Sequence, residues 1–180
     1  MSALPLADFP GAPVPDYAEP VEAWRVWRIG IRSGGVVLRS LFADVAWEPC
    51  LPLAAMCAGG RRSLIRPWRV TPNDHASPEL ACTCGIYGVA TPKAARRYLD
   101  PYRFLPHGDR VIGRVALWGD VVEGEFGWRA SRAYPRELLI PGPAGRYRRG
   151  AYLDEIAVEL EAYRVPIDFV GSRLTADLFR

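Results

Sequence analysis

The stretch "RVIGRVALWGDVVEGE", Arg110 to Glu125, is the longest β-like run in the chain, and the fold is read outward from it. Side chains alternate across a strand, so Val111, Gly113, Val115 and Leu117 fall on one side and Ile112, Arg114, Ala116 and Trp118 on the other. Gly113 and Gly119 interrupt the pattern where a curled sheet would bend. Downstream, "AYPRELLIP" suits a short strand and "GAYLDEIAVELEAYRV" an amphipathic helix. That helix groups Leu153, Ile156, Ala157 and Leu160 on one face, with Asp154, Glu155, Glu159 and Glu161 mostly opposite. "VPIDFV" reads as a closing strand, and "SRLTADLF" as a last helical turn.

Upstream, "PVEAWRVWRIG" and "GGVVLRSLF" suit two strands joined by a glycine turn. "GIYGVA" (Gly85–Ala90) reads as a buried strand. Thr91 then caps a helix that opens at Pro92, runs through "KAARRYLD" and stops at Pro101. Few helices and no regular β-α-β rhythm predict an α+β fold, built on a small curled sheet or barrel with two main helices and a long stapled loop. The expected organisation is a proline-rich extended or disordered arm over residues 1–19, carrying Pro5, Pro10, Pro13 and Pro15, and one domain over 20–180.

The chain has 180 residues, 49% hydrophobic and 24% charged, within the range of ordinary globular proteins. No run approaches the roughly 18 apolar residues that span a bilayer, and the N-terminus does not read as a secretory signal. The expectation is a cytoplasmic protein without membrane contact. Lys93 is the only lysine among 23 basic residues. Arginine forks grip carboxylates and phosphates and stack on rings, so the net charge of +3 permits an acidic partner.

Chemistry concentrates in "NDHASPELACTCGIYG" (Asn73–Gly88), which holds two of the four cysteines and one of the two histidines. Cys57, His75, Cys82 and Cys84 make a Cys₃His set of the kind that holds structural zinc, with Cys50 as a spare. In Cys82-Thr83-Cys84 both sulfurs lie on one side of an extended backbone, close enough to share an ion. A zinc clip would staple the loop from Gly59 to Leu80, which has few apolar anchors. Two alternatives stay open. The cysteines are small buried hydrophobes with His75 capping a turn after Asp74, or they form a redox dithiol or disulfide, Cys50–Cys57 included. The glutamate that zinc deaminases place two residues after the histidine is Ser77 here, which argues for a structural rather than a catalytic metal.

A second group interleaves aromatic and basic residues. Tyr87, Trp118, Trp128 and Tyr134, with Arg114 and Arg129, are candidate ligand-binding residues for nucleic acid or a nucleotide-like molecule. The competing reading puts the tryptophans in the core and the arginines on a solvated rim. "RYRRG" (Arg146–Gly150) is a further basic spot, read as solvated. No nucleophile elbow, phosphate loop or dinucleotide fingerprint is present, so nothing compels an enzyme. A small hydrolase or transferase using Asp120 or Glu123 with His107 is the remaining enzymatic option. A protein-interaction or regulatory module, docking a partner chain through exposed aromatics and the proline-rich arm, is the other.

"CTCGIYG", a short helix, and "VIGRVALWGDVVEGEFGWRASRAYP" resemble a group of small uncharacterised bacterial proteins with a Cys-x-Cys-Gly-Ile-Tyr element and a Trp-Gly-x-Val-Val-Glu strand. The likeness spans roughly Trp24 to Ile140 and implies no activity. The order of strand, helix and long "GRVALWG" strand is also similar to the PUA-like barrels of the ASCH, EVE, YTH and SRA type. That resemblance implies a barrel in which an aromatic pocket takes a base, with counterparts among Tyr87, Trp118 and Trp128.

Overall fold

The computed structural model describes residues 13–14, 19–43, 45–57, 60–62, 70–72, 75–99, 110–141 and 150–170. Its centre is a long antiparallel hairpin. Strand β9 (Arg110–Gly124) turns at Glu125–Phe126 into β10 (Gly127–Pro141), and the two pair from Gly124↔Gly127 to Ile112↔Leu139. The run from Trp128 to Pro141 is thus one strand where the sequence suggested a separate short one. It accommodates Pro135 at an irregularity in pairing between Pro135 and Glu137, where the ladder needs no N–H.

Both interior glycines of β9 have a steric reason. A Cβ on Gly113 would lie 1.9 Å from the Glu137 carbonyl oxygen, beside that same irregularity. Gly119, at φ +75°, faces a second register shift between Ala130 and Arg132, where a Cβ would meet Ser131 Oγ at 2.3 Å. The Ser131 hydroxyl bridges the gap, accepting from Asp120 N at 2.9 Å and donating to the Trp118 carbonyl at 3.4 Å. Close approach of backbones requires glycine at such bulges.

Two further strands complete the centre. Strand β2 (Val21–Arg32) pairs with β9 from Val21↔Leu117 to Arg28↔Arg110, and β8 (Ile86–Val89) pairs with β10. A bridge between Trp24 and Val89 joins β2 to β8, so the path β2–β9–β10–β8 returns on itself. The remaining strands attach to this ring. Strand β3 (Gly35–Arg39) extends β2, and β4 (Ala46–Trp47) extends β3. The short β5 (Leu53–Ala54) and the parallel β11 (Ile167–Val170) lie on β10. From the arm, β1 (Pro13–Val14) pairs with Val122 and Val121. Within the segment read as a loop, β6 (Gly60–Arg62) and β7 (Val70–Pro72) form their own two-stranded sheet.

Among the described residues two helices pack on the sheet, so this part of the fold is mostly sheet with a minor helical part. Helix α1 (Pro92–Arg96) opens as its sequence requires, with Thr91 Oγ1 accepting from Ala94 N at 3.2 Å. It is shorter than "KAARRYLD" suggested. Tyr98 N and Leu99 N reach back three residues, to Ala95 and Arg96, and tighten the end into turns. Helix α2 (Gly150–Leu160) buries Leu153, Ile156 and Leu160 and continues into a 3₁₀ turn, Glu161–Tyr163.

The main core gathers Val111, Val115 and Leu117 from one face of β9 with Trp27, Leu38, Trp47, α2 and Tyr163. Trp27 and Trp47 meet edge to face at 5.5 Å between centroids. Ile112, on the other face, joins a smaller cluster with Val26, Ala95, Leu139 and Val170. No helix among the described residues is long and apolar enough to cross a membrane.

Candidate metal centre

Cys57 follows β5, His75 follows β7, and Cys82 and Cys84 precede β8. Their ligand atoms all lie within 4.8 Å of one another, so these four residues can hold a metal ion. Cys57 Sγ and Cys82 Sγ are 3.7 Å apart, and Cys84 Sγ lies 3.4 Å from His75 Nε2. A tetrahedral ion with sulfur ligands at about 2.3 Å sets sulfur–sulfur edges of about 3.8 Å, with the nitrogen edge slightly shorter. These two spacings match two edges of such a tetrahedron. They also lie far beyond a disulfide bond of about 2.05 Å, and all four cysteines are free.

Local structure explains how the chain delivers these ligands. Cys82 N donates to the Glu79 carbonyl at 2.9 Å, closing a tight turn. Gly85, at φ +125°, then swings the chain into β8, with Pro78 and Arg129 too near for a side chain there. On the other side, Ala55 N bonds the Ser131 carbonyl at 2.8 Å and fixes the approach to Cys57. Arg129 of β10 clamps the loop. Its Nη1 donates to the carbonyls of Glu79 and Cys84 at 2.9 and 2.8 Å, and its Nη2 to that of Leu80 at 3.4 Å. A Cys₃His site holding a dication carries net charge −1, and this guanidinium offsets it.

The electrostatics already favour a thiolate. Burial pushes the Cys84 thiol up, but hydrogen bonds from the Ser77 hydroxyl, the Glu79 backbone, His75 and Cys82 outweigh it and bring it down to about 6. Cys82 moves the other way. A backbone bond from Cys84 lowers it, while burial and the neighbouring thiols Cys57 and Cys84 together raise it further. Glu79 turns its carboxylate onto the Leu80 N–H, which donates to it at 2.8 Å. Cys50 takes no part: its sulfur donates to the Ala162 carbonyl at 3.4 Å.

A cavity of about 590 Å³ adjoins the centre, walled by Trp24, Phe42, Tyr87, Tyr98, Met56 and Arg25 among others. Of the candidate ligand-binding residues, only Tyr87 lines it. Its hydroxyl donates to the Thr83 carbonyl at 2.6 Å, in the metal loop. Arg114 is ion-paired with Glu22, and Arg129 is engaged as the loop clamp. Trp128 and Tyr134 pack against the main core, and Tyr134 donates to the Tyr163 carbonyl at 3.0 Å. Trp118 is half-buried beside Ser131. Asp120 and Glu123 are exposed, while His107 and Arg146–Arg149 lie outside the described residues.

Arg25 and the cavity itself were not singled out from sequence. A signal was present: in "WRVWR" Arg25 shares the strand face of Trp27, which is fully buried. An arginine on a core face implies a polar task.

No family model matches the chain, and no solved structure matches it. Over 107 residues, 54% of this chain, it is 25% identical to a phosphatidylethanolamine N-methyltransferase of Phaeosphaeria nodorum. The chain spans 12% of that protein's length.

Proposed function

We propose that the chain is a zinc-stapled, non-enzymatic binding module that takes a nucleotide-like ligand into the cavity beside the metal centre. The continuity of the two carries this reading. Met56–Cys57 and Cys84–Gly85–Ile86–Tyr87 each supply a metal ligand and a piece of cavity wall, so the metal sets the shape of the pocket. Three thiolates and an imidazole favour zinc over hard cations, and four protein ligands leave no coordination position for chemistry. The metal therefore builds the site and does not act in it. Four free thiols suit the reducing cytoplasm.

The cavity is of small-molecule size, and Trp24, Phe42, Tyr87 and Tyr98 give it ring-shaped walls on which a base can stack. The closed path of strands supports a barrel of the PUA-like kind, in which a pocket takes a base. Arg132, exposed on β10, is available to steer phosphates. The test is fluorescence binding of mononucleotides and single- and double-stranded oligonucleotides at low salt. Micromolar binding that weakens with salt, and that disappears on zinc removal and returns on its readdition, is expected. No binding at micromolar protein ends the nucleotide reading. A protein-interaction module is the second reading, favoured by Phe42 and Met56, which line the cavity yet are 69% and 83% exposed. A partner chain captured without any nucleotide affinity would support it.

A further inference from the structure

Arg25 stands on the core face of β2, between Ala23 and Trp27, and lines the cavity. Its Nη1 donates to the Tyr87 carbonyl and its Nη2 to Ser40 Oγ at 3.2 Å. The guanidinium also lies over the Trp47 ring, 5.0 Å from the centroid. No carboxylate pairs with it among the described residues, since Glu22 serves Arg114 and Arg136 and Glu48 serves Arg32. Its Nε is buried without a partner. Burial pulls this guanidinium down to about 10. A desolvated cation without an anion is costly, and proteins hold one where an anion is to be received.

Ser40 points to the same ligand. Its Oγ accepts from Arg25 Nη2 and from Trp47 Nε1 at 3.0 Å, which fills both lone pairs. The hydroxyl proton then has no protein acceptor among the described residues. Arg25 and Ser40 thus offer donors and no acceptor, inside walls that are otherwise apolar and aromatic.

We infer that the cavity selects a flat ring bearing an anionic oxygen, whose charge is met by Arg25 and Ser40 and whose apolar body is taken by the aromatic walls. This rests on the reading of the cavity as the ligand site and names the chemistry of its ligand. Acidic pyrimidine or purine bases and aryl carboxylates share that chemistry. A phosphate alone lacks the body, and a neutral ring lacks the charge.

The test compares matched pairs by calorimetric titration of the zinc-loaded full chain: orotate against uracil, and 2-naphthoate against 2-naphthamide. Each acid is expected to bind at least about tenfold more tightly than its neutral partner, about 1.4 kcal/mol. Tighter binding of orotate identifies the acidic base as the source, and tighter binding of naphthoate the aryl acid. Arg25→Met should abolish the preference while retaining naphthamide binding, with zinc content and thermal unfolding as folding controls. If that variant does not fold, the wild-type pairs decide alone. Equal affinities within both pairs overturn the anion inference and leave the cavity as a ligand site. Failure of all four probes to bind overturns both.

Discussion

Residues at the metal centre do different work. Cys82 and Cys84 would each fill one corner of the tetrahedron, so Cys82→Ser or Cys84→Ser should release zinc and lower the unfolding temperature. Cys50→Ser should do neither, because that sulfur lies outside the four-residue cluster and donates to the Ala162 carbonyl. Thermal unfolding paired with metal analysis of the three variants checks this. Arg129 touches no metal, yet it holds the carbonyls of Glu79, Leu80 and Cys84. Arg129→Ala should weaken zinc about 10- to 100-fold, read by competition with a chelator. At this scale the convergence of Cys57, His75, Cys82 and Cys84 was legible from residue type and spacing, since few chemistries use cysteine and histidine together. The role of Arg129 was not, because an arginine beside tryptophans in sequence looks the same whether it grips phosphate or backbone. Arg25 shows the same limit, since sequence gives its strand face and not the cavity in front of it.

Elements depend on a few close approaches. Gly113 lets the Glu137 carbonyl come within the space a side chain would fill. Gly113→Ala should therefore force β9 from β10 and cost on the order of 3 kcal/mol or more in chemical unfolding, as overpacking against backbone does. Gly34→Ala is the control: nothing lies within 4 Å of its added Cβ, and its stability should change little. The β9 pattern, the Thr91–Pro92 helix start and the buried face of α2 were legible because each is set by local periodicity or capping. The length of β10 was not. The run "AYPRELLIP" marks only its second half, and pairing with β9 shows that Pro135 sits at an irregularity the ladder tolerates. The small β6–β7 sheet was missed for a related reason, since three-residue strands carry no periodicity.

Across the whole molecule, Tyr163 ties the chain's C-terminal part to its N-terminal strands. Its hydroxyl accepts from Leu38 N at 2.8 Å and donates to the Trp47 carbonyl. Burial, first among the causes, pushes this phenol up to about 12. A raised folded value contributes stability that is complete below the ordinary value near 10 and is lost as pH climbs toward 12. The wild type should therefore lose on the order of 2 kcal/mol across that window, and Tyr163→Phe should lose less, in denaturant unfolding followed against pH. Tyr163→Phe should also be less stable at neutral pH by about 1–3 kcal/mol, because Leu38 N is left unsatisfied. The ring of strands was foreshadowed as a curled sheet, but its closure through the single Trp24–Val89 bridge has no sequence mark. Everything proposed about function depends on a metal joining the loop to this ring at the Cys57, His75, Cys82 and Cys84 cluster. Zinc-edge X-ray absorption on protein purified without chelator tests that claim most directly. The account predicts one zinc per chain, with three sulfurs at about 2.3 Å and one nitrogen at about 2.0–2.1 Å. A chain without stoichiometric zinc, or a metal shell made of oxygen, would contradict it.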